Sequence, residues 1–534
     1  SRSDPSGEVT QGVTGFSPSI TRSAFVNNAD NPPTVTGEFA LTNNTGATLY
    51  NTRVVFTGFK VTNSGGADAG NLPGANGFAY FNDGQVAYNG KLSVSRDYGD
   101  IAAAAKVTRV WTFAVANQPP NFFFSYRVIA DLGVAAESVA PAAVQVNAGT
   151  GTSVTISGRG FTGTPVVELL PASGSPIAMT GVTATATSVT ATVPAGTAAA
   201  IYSLRVTNPG GTAGGAGSST IRGRLTVTGV PATTLNGTIP GGSFSTAGAY
   251  LISGNSTLSS STPIPAGTVI YVAGGATLSI AGGGNINADG GTPGVSATPA
   301  QIVFTAQRSP GASIPANGAW GGIDATGAST ATMTMRNVVV EYGGGSGFAG
   351  VNISGSGRTL RFSDGVLRNS AGSGLRAVGG NDTVVGFARN RVENNGTAAT
   401  DTALLLSGNA ALGLYDLPAT GATIATSVGD ASFYYSSGND FGGNQVNAVR
   451  IGVTADAASN DFSKSGVLVG QGATPIQIAG DCSNPAIVGA VAPLAAAELT
   501  ITAGANIQLA ADLNFQAGDY ATNRVGCIAA NGYA

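Results

Sequence analysis

Three segments between Met335 and Asn395 repeat one another: MRNVVVEYGG, RFSDGVLRNS and GFARNRVENN. They align Met335 with Phe362 and Phe387, Val340 with Leu367 and Val392, and Glu341 with Arg368 and Glu393. The spacing is 27 residues from 335 to 362 and 25 from 362 to 387. Between these segments, GVNI at 350–353 and GLRA at 374–377 repeat with a spacing of 24. A period of this length, built of short apolar runs split by Gly, Ser and Asn, specifies stacked turns of a solenoid. Stacked strands lie about 4.8 Å apart, so aligned side chains touch. The alignment therefore predicts one column of Glu341, Arg368 and Glu393 and another of Asn337, Asp364 and Arg389. Opposite charges alternate in these columns, which is attractive, so they read as structural charge ladders. Asn369 and Asn394 also align, and a side-chain amide ladder is expected there.

Composition agrees with an all-β chain. Of 534 residues, 80 are Gly, 42% are hydrophobic and 10% are charged. Thr- and Val-rich runs favour strands, and no long stretch shows a 3.6-residue apolar period. A chain this long exceeds one ordinary core and is expected to divide into about three domains. The net charge is −3 with only four Lys, which argues against nucleic acid as a partner. The chain has no His, which removes Ser/His/Asp and Cys/His triads and His-ligated zinc. No cofactor is implied. No stretch is apolar for long enough to cross a membrane, since 486–497 contains Pro493 and ends at Glu498. The N-terminus SRSDPSGEVT lacks the basic and apolar regions of a signal peptide, so a mature form is expected.

Residues 1–135 alternate apolar and polar positions between turns such as 43–46 and 82–84. Trp111, Phe113 and Val115 share one face, as do Phe122, Phe124, Tyr126 and Val128. This predicts an antiparallel, immunoglobulin-like sandwich. Residues 138–228 contain GTSVTISGRGF (151–161), SVTATVPAG (188–196) and YSLRVTNPGG (202–211). These motifs resemble an IPT/TIG domain, the small immunoglobulin-like fold of bacterial surface proteins and some receptors. The resemblance implies a spacer or binding module. The pattern places Val154 and Ile156 inward, with Phe161 plugging the core beyond Gly158 and Gly160.

From residue 240 to 534 the chain is a run of short strands, with a cap expected near the C-terminus. The order PAGTVIYV, GATLSI, QIVFT, WGGI, VVVEYGG, NRVENNG resembles right-handed parallel β-helix proteins of secreted and surface-exposed bacterial origin. Many such proteins cleave acidic polysaccharides with clustered carboxylates. Here the carboxylates between 263 and 416 are scattered, with no Asp-Asp or Asp-x-Asp pair. No catalytic or metal-binding residue is assigned. Six Arg fall between 358 and 391. Arg358, Arg361 and Arg376, which the columns leave without a partner, are the candidates for gripping an anionic ligand. Cys482 and Cys527 are expected to pair as a disulfide, whose loop would contribute about 4 kcal/mol if unstrained.

Together these readings predict a non-catalytic structural or adhesive protein of the bacterial cell surface: an envelope, surface-layer or appendage component, or an adhesin. Its expected partners are further copies of itself, other surface proteins or a cell-surface glycan. The alternatives are a carbohydrate-active β-helix enzyme, lyase or hydrolase, and a phage tail or receptor-binding protein.

Overall fold

The computed structural model describes residues 34–62, 90–114, 121–325, 332–413 and 439–452, isolated loop positions apart, with residues 16–27 and short strands elsewhere. Cys482 and Cys527, and with them the expected disulfide, lie outside the described residues. The fold is all-β, with no helix among the described residues.

The chain opens with two antiparallel sheets. Thr34–Asn43 pairs with Phe16–Asn27 and Lys106–Ala114 in one, and Leu49–Thr62 pairs with Lys91–Ile101 and Asn121–Leu132 in the other. Tyr98 joins them, its hydroxyl donating to Phe39 O at 2.8 Å from a fully buried ring. A second sandwich follows. One sheet carries Thr180–Ala184, Ser188–Val193, Thr152–Arg159 and Ala135–Ala140. The other carries Ala143–Gln145, Ser218–Thr228, Ala200–Thr207, Val166–Leu170 and Ile177–Ala178. Period-two alternation buries Val154 and Ile156 against Val189, Leu204 and Leu225, and Phe161 closes that core. Gly158 is obligatory beside it, because a Cβ there would meet Ala135 O at 2.0 Å.

Four residues, 229–232, link this sandwich to a parallel β-helix. Twenty strands between Thr233 and Leu509 form one continuous ladder, each pairing with the strand one turn away. The coil has three faces. The first stacks Val269–Val272, Ile302–Ala306, Val338–Glu341, Val366–Arg368, Arg391–Glu393 and Asp440–Gly442. The second stacks Thr277–Ile280, Gly322–Ala325, Val351–Gly355 and Leu375 onward. The third stacks Asn285–Asp289, Thr332–Arg336, Thr359–Ser363 and the end of Leu375–Ala388. Met335 registers on Phe362 and Phe362 on Phe387, and the two Phe rings stack at 5.5 Å. Val340, Leu367, Val392 and Phe441 fill the opposite side of the same core.

Each turn between the third and first faces needs one left-handed residue. Asn337, Asp364 and Arg389 occupy it, at φ of 55°, 55° and 53°. A second left-handed position after the first face is held by Tyr342, Asn369 and Asn394. Non-Gly residues are uncommon there, and Asn and Asp tolerate it best. The amide ladder expected at Asn369 and Asn394 is instead displaced by one residue. Asn395 Nδ2 donates to Leu367 O (3.0 Å) while its Oδ1 accepts from Ser370 N (3.0 Å). Asn390 does the same one corner earlier, to Phe362 O and from Gly365 N, both at 2.8 Å. Asn439 and Asn444 repeat both motifs on the next turn, donating to Phe387 O and Val392 O. The side chain thus ties each corner to the backbone of the turn before it.

Asn390→Ala orphans a buried carbonyl and a buried amide, each costing about 1–3 kcal/mol. The expected loss is therefore at least about 2 kcal/mol, measured as a lowered denaturation midpoint of the coil, with Asn390→Asp losing less because its oxygen still accepts from Gly365 N.

Candidate functional site

The first face of the coil differs from the other two. Its strands from Val269 to Glu393 are buried on both sides, whereas Thr277–Ile280 and Thr332–Arg336 alternate buried and half-exposed or exposed positions. The cover is the second sandwich. Ala142 and Ala143 pack on the outward column Val269, Val303, Val339 and Val366, with Tyr271 beside it. Around this apolar strip the two domains exchange hydrogen bonds. Thr228 Oγ1 and Tyr271 Oη lie 2.8 Å apart. Gln301 Nε2 donates to Thr226 Oγ1 (2.9 Å) and Ala142 O (3.3 Å). Arg224 donates to Asn337 Oδ1 (2.7 Å) and Asp364 O (3.1 Å). The loop after Ile302–Ala306 reaches up the side, where Arg308 Nη1 donates to Ser153 O at 2.9 Å.

The charged column sits in this contact. Glu341, Arg368 and Glu393 are register neighbours and all buried. Arg368 bridges Glu341 (2.8 Å) and Glu393 (3.3 Å). Both carboxylate oxygens of Glu341 also accept from Ala142 N, at 2.9 and 3.1 Å, and Oε1 accepts from Thr305 Oγ1 at 2.7 Å. Arg391 pairs with Glu393 at 2.6 Å and reaches the second sandwich at Glu137, Oε2 at 3.4 Å and O at 3.3 Å. Glu137 in turn holds Arg159 at 2.7 Å, and Arg159 pairs with Asp100 of the first sandwich and lies over the Tyr50 ring. One chain of ion pairs thus runs from the first sandwich through the second into the coil. Asp364 and Arg389 form a separate buried pair at 2.7 Å, with Thr292 Oγ1 3.4 Å from Asp364 Oδ2.

Desolvation decides how these groups titrate. Burial alone would push the Glu393 carboxyl up, but Arg391 and Arg368, with a hydrogen bond from Ser138, more than offset it and hold the carboxyl below its usual range. Asp440, one turn further, is pushed up by burial, which Arg391 only partly offsets. Burial would lower Arg391, yet Glu393, Asp440 and Glu137 hold it charged. A small cavity remains between the domains, lined by Glu137, Ser138, Arg224, Gln301, Arg368 and Arg391 among others. Gln301 Oε1 is buried without a protein partner, which suits an ordered water.

The three Arg proposed as ligand contacts are not brought together. Arg358 is wholly buried, its guanidinium donating to Gly284 O and Gly327 O at 3.4 Å each, so it cannot meet a ligand. Burial lowers its pKa. Arg361 lies on the third face, in register with Thr334. Arg376 lies on the second, donating to Asn352 Oδ1 at 3.2 Å, and Asn352 continues the row to Asp324. Among the described residues no three His, Cys, Asp or Glu are placed to share a metal ion. What the arrangement does is hold domains in one register. Sequence reasoning missed Glu137, Arg159, Arg224 and Gln301, which carry that contact. A signal for it existed in the unbroken apolar runs VIYV, IVF and VVV of the first face, since strands buried on both sides lose their alternation.

Removing one partner of a buried pair leaves an uncompensated charge. Arg368→Met is expected to cost about 3–5 kcal/mol, seen as a lowered unfolding midpoint and faster proteolysis at residues 229–232. Acid should weaken the contact through Glu393. Its pKa is lower folded than unfolded, so its stabilisation is complete above the unfolded value of about 4.3 and is lost as pH falls through the folded value. Glu393→Gln should flatten that part of the stability–pH profile, and an unchanged slope would assign the acid sensitivity elsewhere.

No protein-family model and no curated protein matches this chain.

Proposed function

We propose that this chain is a non-catalytic structural or adhesive component of a bacterial cell surface. The observation that carries the reading is the use of the coil's best-repeated charges. Glu341, Arg368 and Glu393 lie beneath a docked domain and pair with each other. Carboxylates committed in this way to buried arginines and backbone amides serve cohesion, and substrate cannot reach them. The second sandwich, read as an IPT/TIG-like module, is fixed along the flank of the coil by ion pairs, hydrogen bonds and apolar contact together. Such a module braces the coil and turns its own far edge outward, towards other surface proteins, further copies or a glycan.

Low charge over a long β surface suits close packing with neighbours, because little like-charge repulsion opposes it. The extracellular setting is part of the same proposal and rests on the resemblance of the coil and the second sandwich to bacterial surface proteins.

Incubation with a panel of acidic polysaccharides is expected to release neither reducing ends nor unsaturated products. Clear turnover of any one would replace this reading with that of a lyase or hydrolase. Light scattering is expected to show a monomer or an open polymer, and a closed trimer would favour a tail-spike reading.

A further inference from the structure

The coil begins with Thr233–Ile239, TTLNGTI, which has one neighbour in the ladder. This edge strand bears no charge, and its residues are exposed except Leu235 and Ile239. Its pairing breaks in the middle: Leu235 registers on Ile252 and Gly237 on Ser256, so Asn236 alone faces residues 253–255, which bulge from the neighbouring strand. Gly237 has φ +66°, and the backbone folds back so that Gly237 N lies 2.9 Å from Asn236 Oδ1. A Cβ at 237 would meet nothing within 4 Å, so the site is open to solvent.

We infer that Asn236–Gly237 is a self-modifying site, at which the folded protein converts the asparagine to an aspartyl or isoaspartyl residue. Gly237 N loses its proton to base and attacks Asn236 Cγ. A C–N bond forms, the Cγ–Nδ2 bond breaks and ammonia leaves. Water then opens the resulting five-membered imide at either carbonyl. No electrons are exchanged and water is the only co-reactant. Holding nucleophile and carbon together in one exposed turn supplies proximity, and glycine leaves the nitrogen unshielded.

Two other Asn-Gly pairs with described side chains are tied down. Asn395 is buried, with Nδ2 donating to Leu367 O and Asn444 Oδ1, and Gly396 N is committed to Ser370 O. Asn317 Nδ2 donates to Asn394 O and Gly318 N to Asn369 O. Among the described Asn-Gly pairs, only at 236 does the glycine N–H donate to the side-chain oxygen of the asparagine before it, which holds that nitrogen beside the amide it attacks. The product matters because of where it forms. An uncharged edge strand is a template for adding another strand, and a charge is a standard way to blunt it. Conversion at 236 places a carboxylate on that edge, and the isoaspartyl form also lengthens the backbone between the Leu235–Ile252 and Gly237–Ser256 pairs.

The test is to hold the folded full-length protein in mildly alkaline buffer and follow each Asn by peptide mapping. A parallel sample receives hydroxylamine, which cleaves the imide. Conversion at 236 is expected to run at least about tenfold faster than at 317 or 395, a barrier difference of about 1.4 kcal/mol. Hydroxylamine should cut the chain between residues 236 and 237, and Asn236→Gln or Gly237→Ala should abolish that cut. In denaturant the three sites should converge. Equal or slower conversion at 236 in the folded protein would overturn the inference.

Discussion

A guanidinium with no water around it must find carboxylates, and the middle of this molecule is arranged by that requirement. Arg368 lies buried between Glu341 and Glu393, and neither pair satisfies all of its partners' lone pairs. Part of the remainder comes from the coil itself, through Thr305 and Arg391, and part from outside it. Ala142 N reaches Glu341, and Glu137 reaches Arg391. The net contribution of a buried pair against apolar residues of the same shape is small, but breaking one is expensive. The network therefore acts mainly as a registry device. The sandwich fits the coil at one position, where every charge finds its counterpart, and a slip by one turn would set like charges together or leave one alone.

The coil is built to tolerate this. Its inner columns of Met, Phe, Leu and Val form a continuous core that does not depend on what covers the first face. Its corners are fixed by left-handed residues and by asparagine amides that bond the preceding turn. These two devices make a stiff prism whose faces can be assigned separately: one to the sandwich, two to solvent.

Much of this was legible in the sequence. The columns through Met335, Val340 and Glu341 follow from counting residues, because each turn must return every side chain to the same face. What counting cannot reveal is which outward side is covered. Glu341 and Arg361 both point away from the core, yet the first is enclosed and the second half-exposed. Only the unbroken apolar runs hinted at the difference. Arg358 differs from its expected role as a ligand contact for a related reason. Its column offers no opposite charge, but this side chain turns along the corner and donates to the carbonyls of Gly284 and Gly327. The laddering asparagine, Asn395, lies one residue beyond the aligned pair Asn369 and Asn394, because alignment shows which residues stack and not that those two adopt φ > 0.

The cover on the first face also has a mechanical side. Contacts run from Tyr271 through Val303, Val339 and Val366 to Arg391, and so span several turns of about 4.8 Å each. Tension directed along the coil axis would strain all of these contacts at once, so that they yield together at high force. Tension directed away from the flank would instead open them one after another, like a zipper, at much lower force. A protein joined this way resists being stretched along its length far better than being peeled, and the direction of the load at the four-residue linker would decide which it meets.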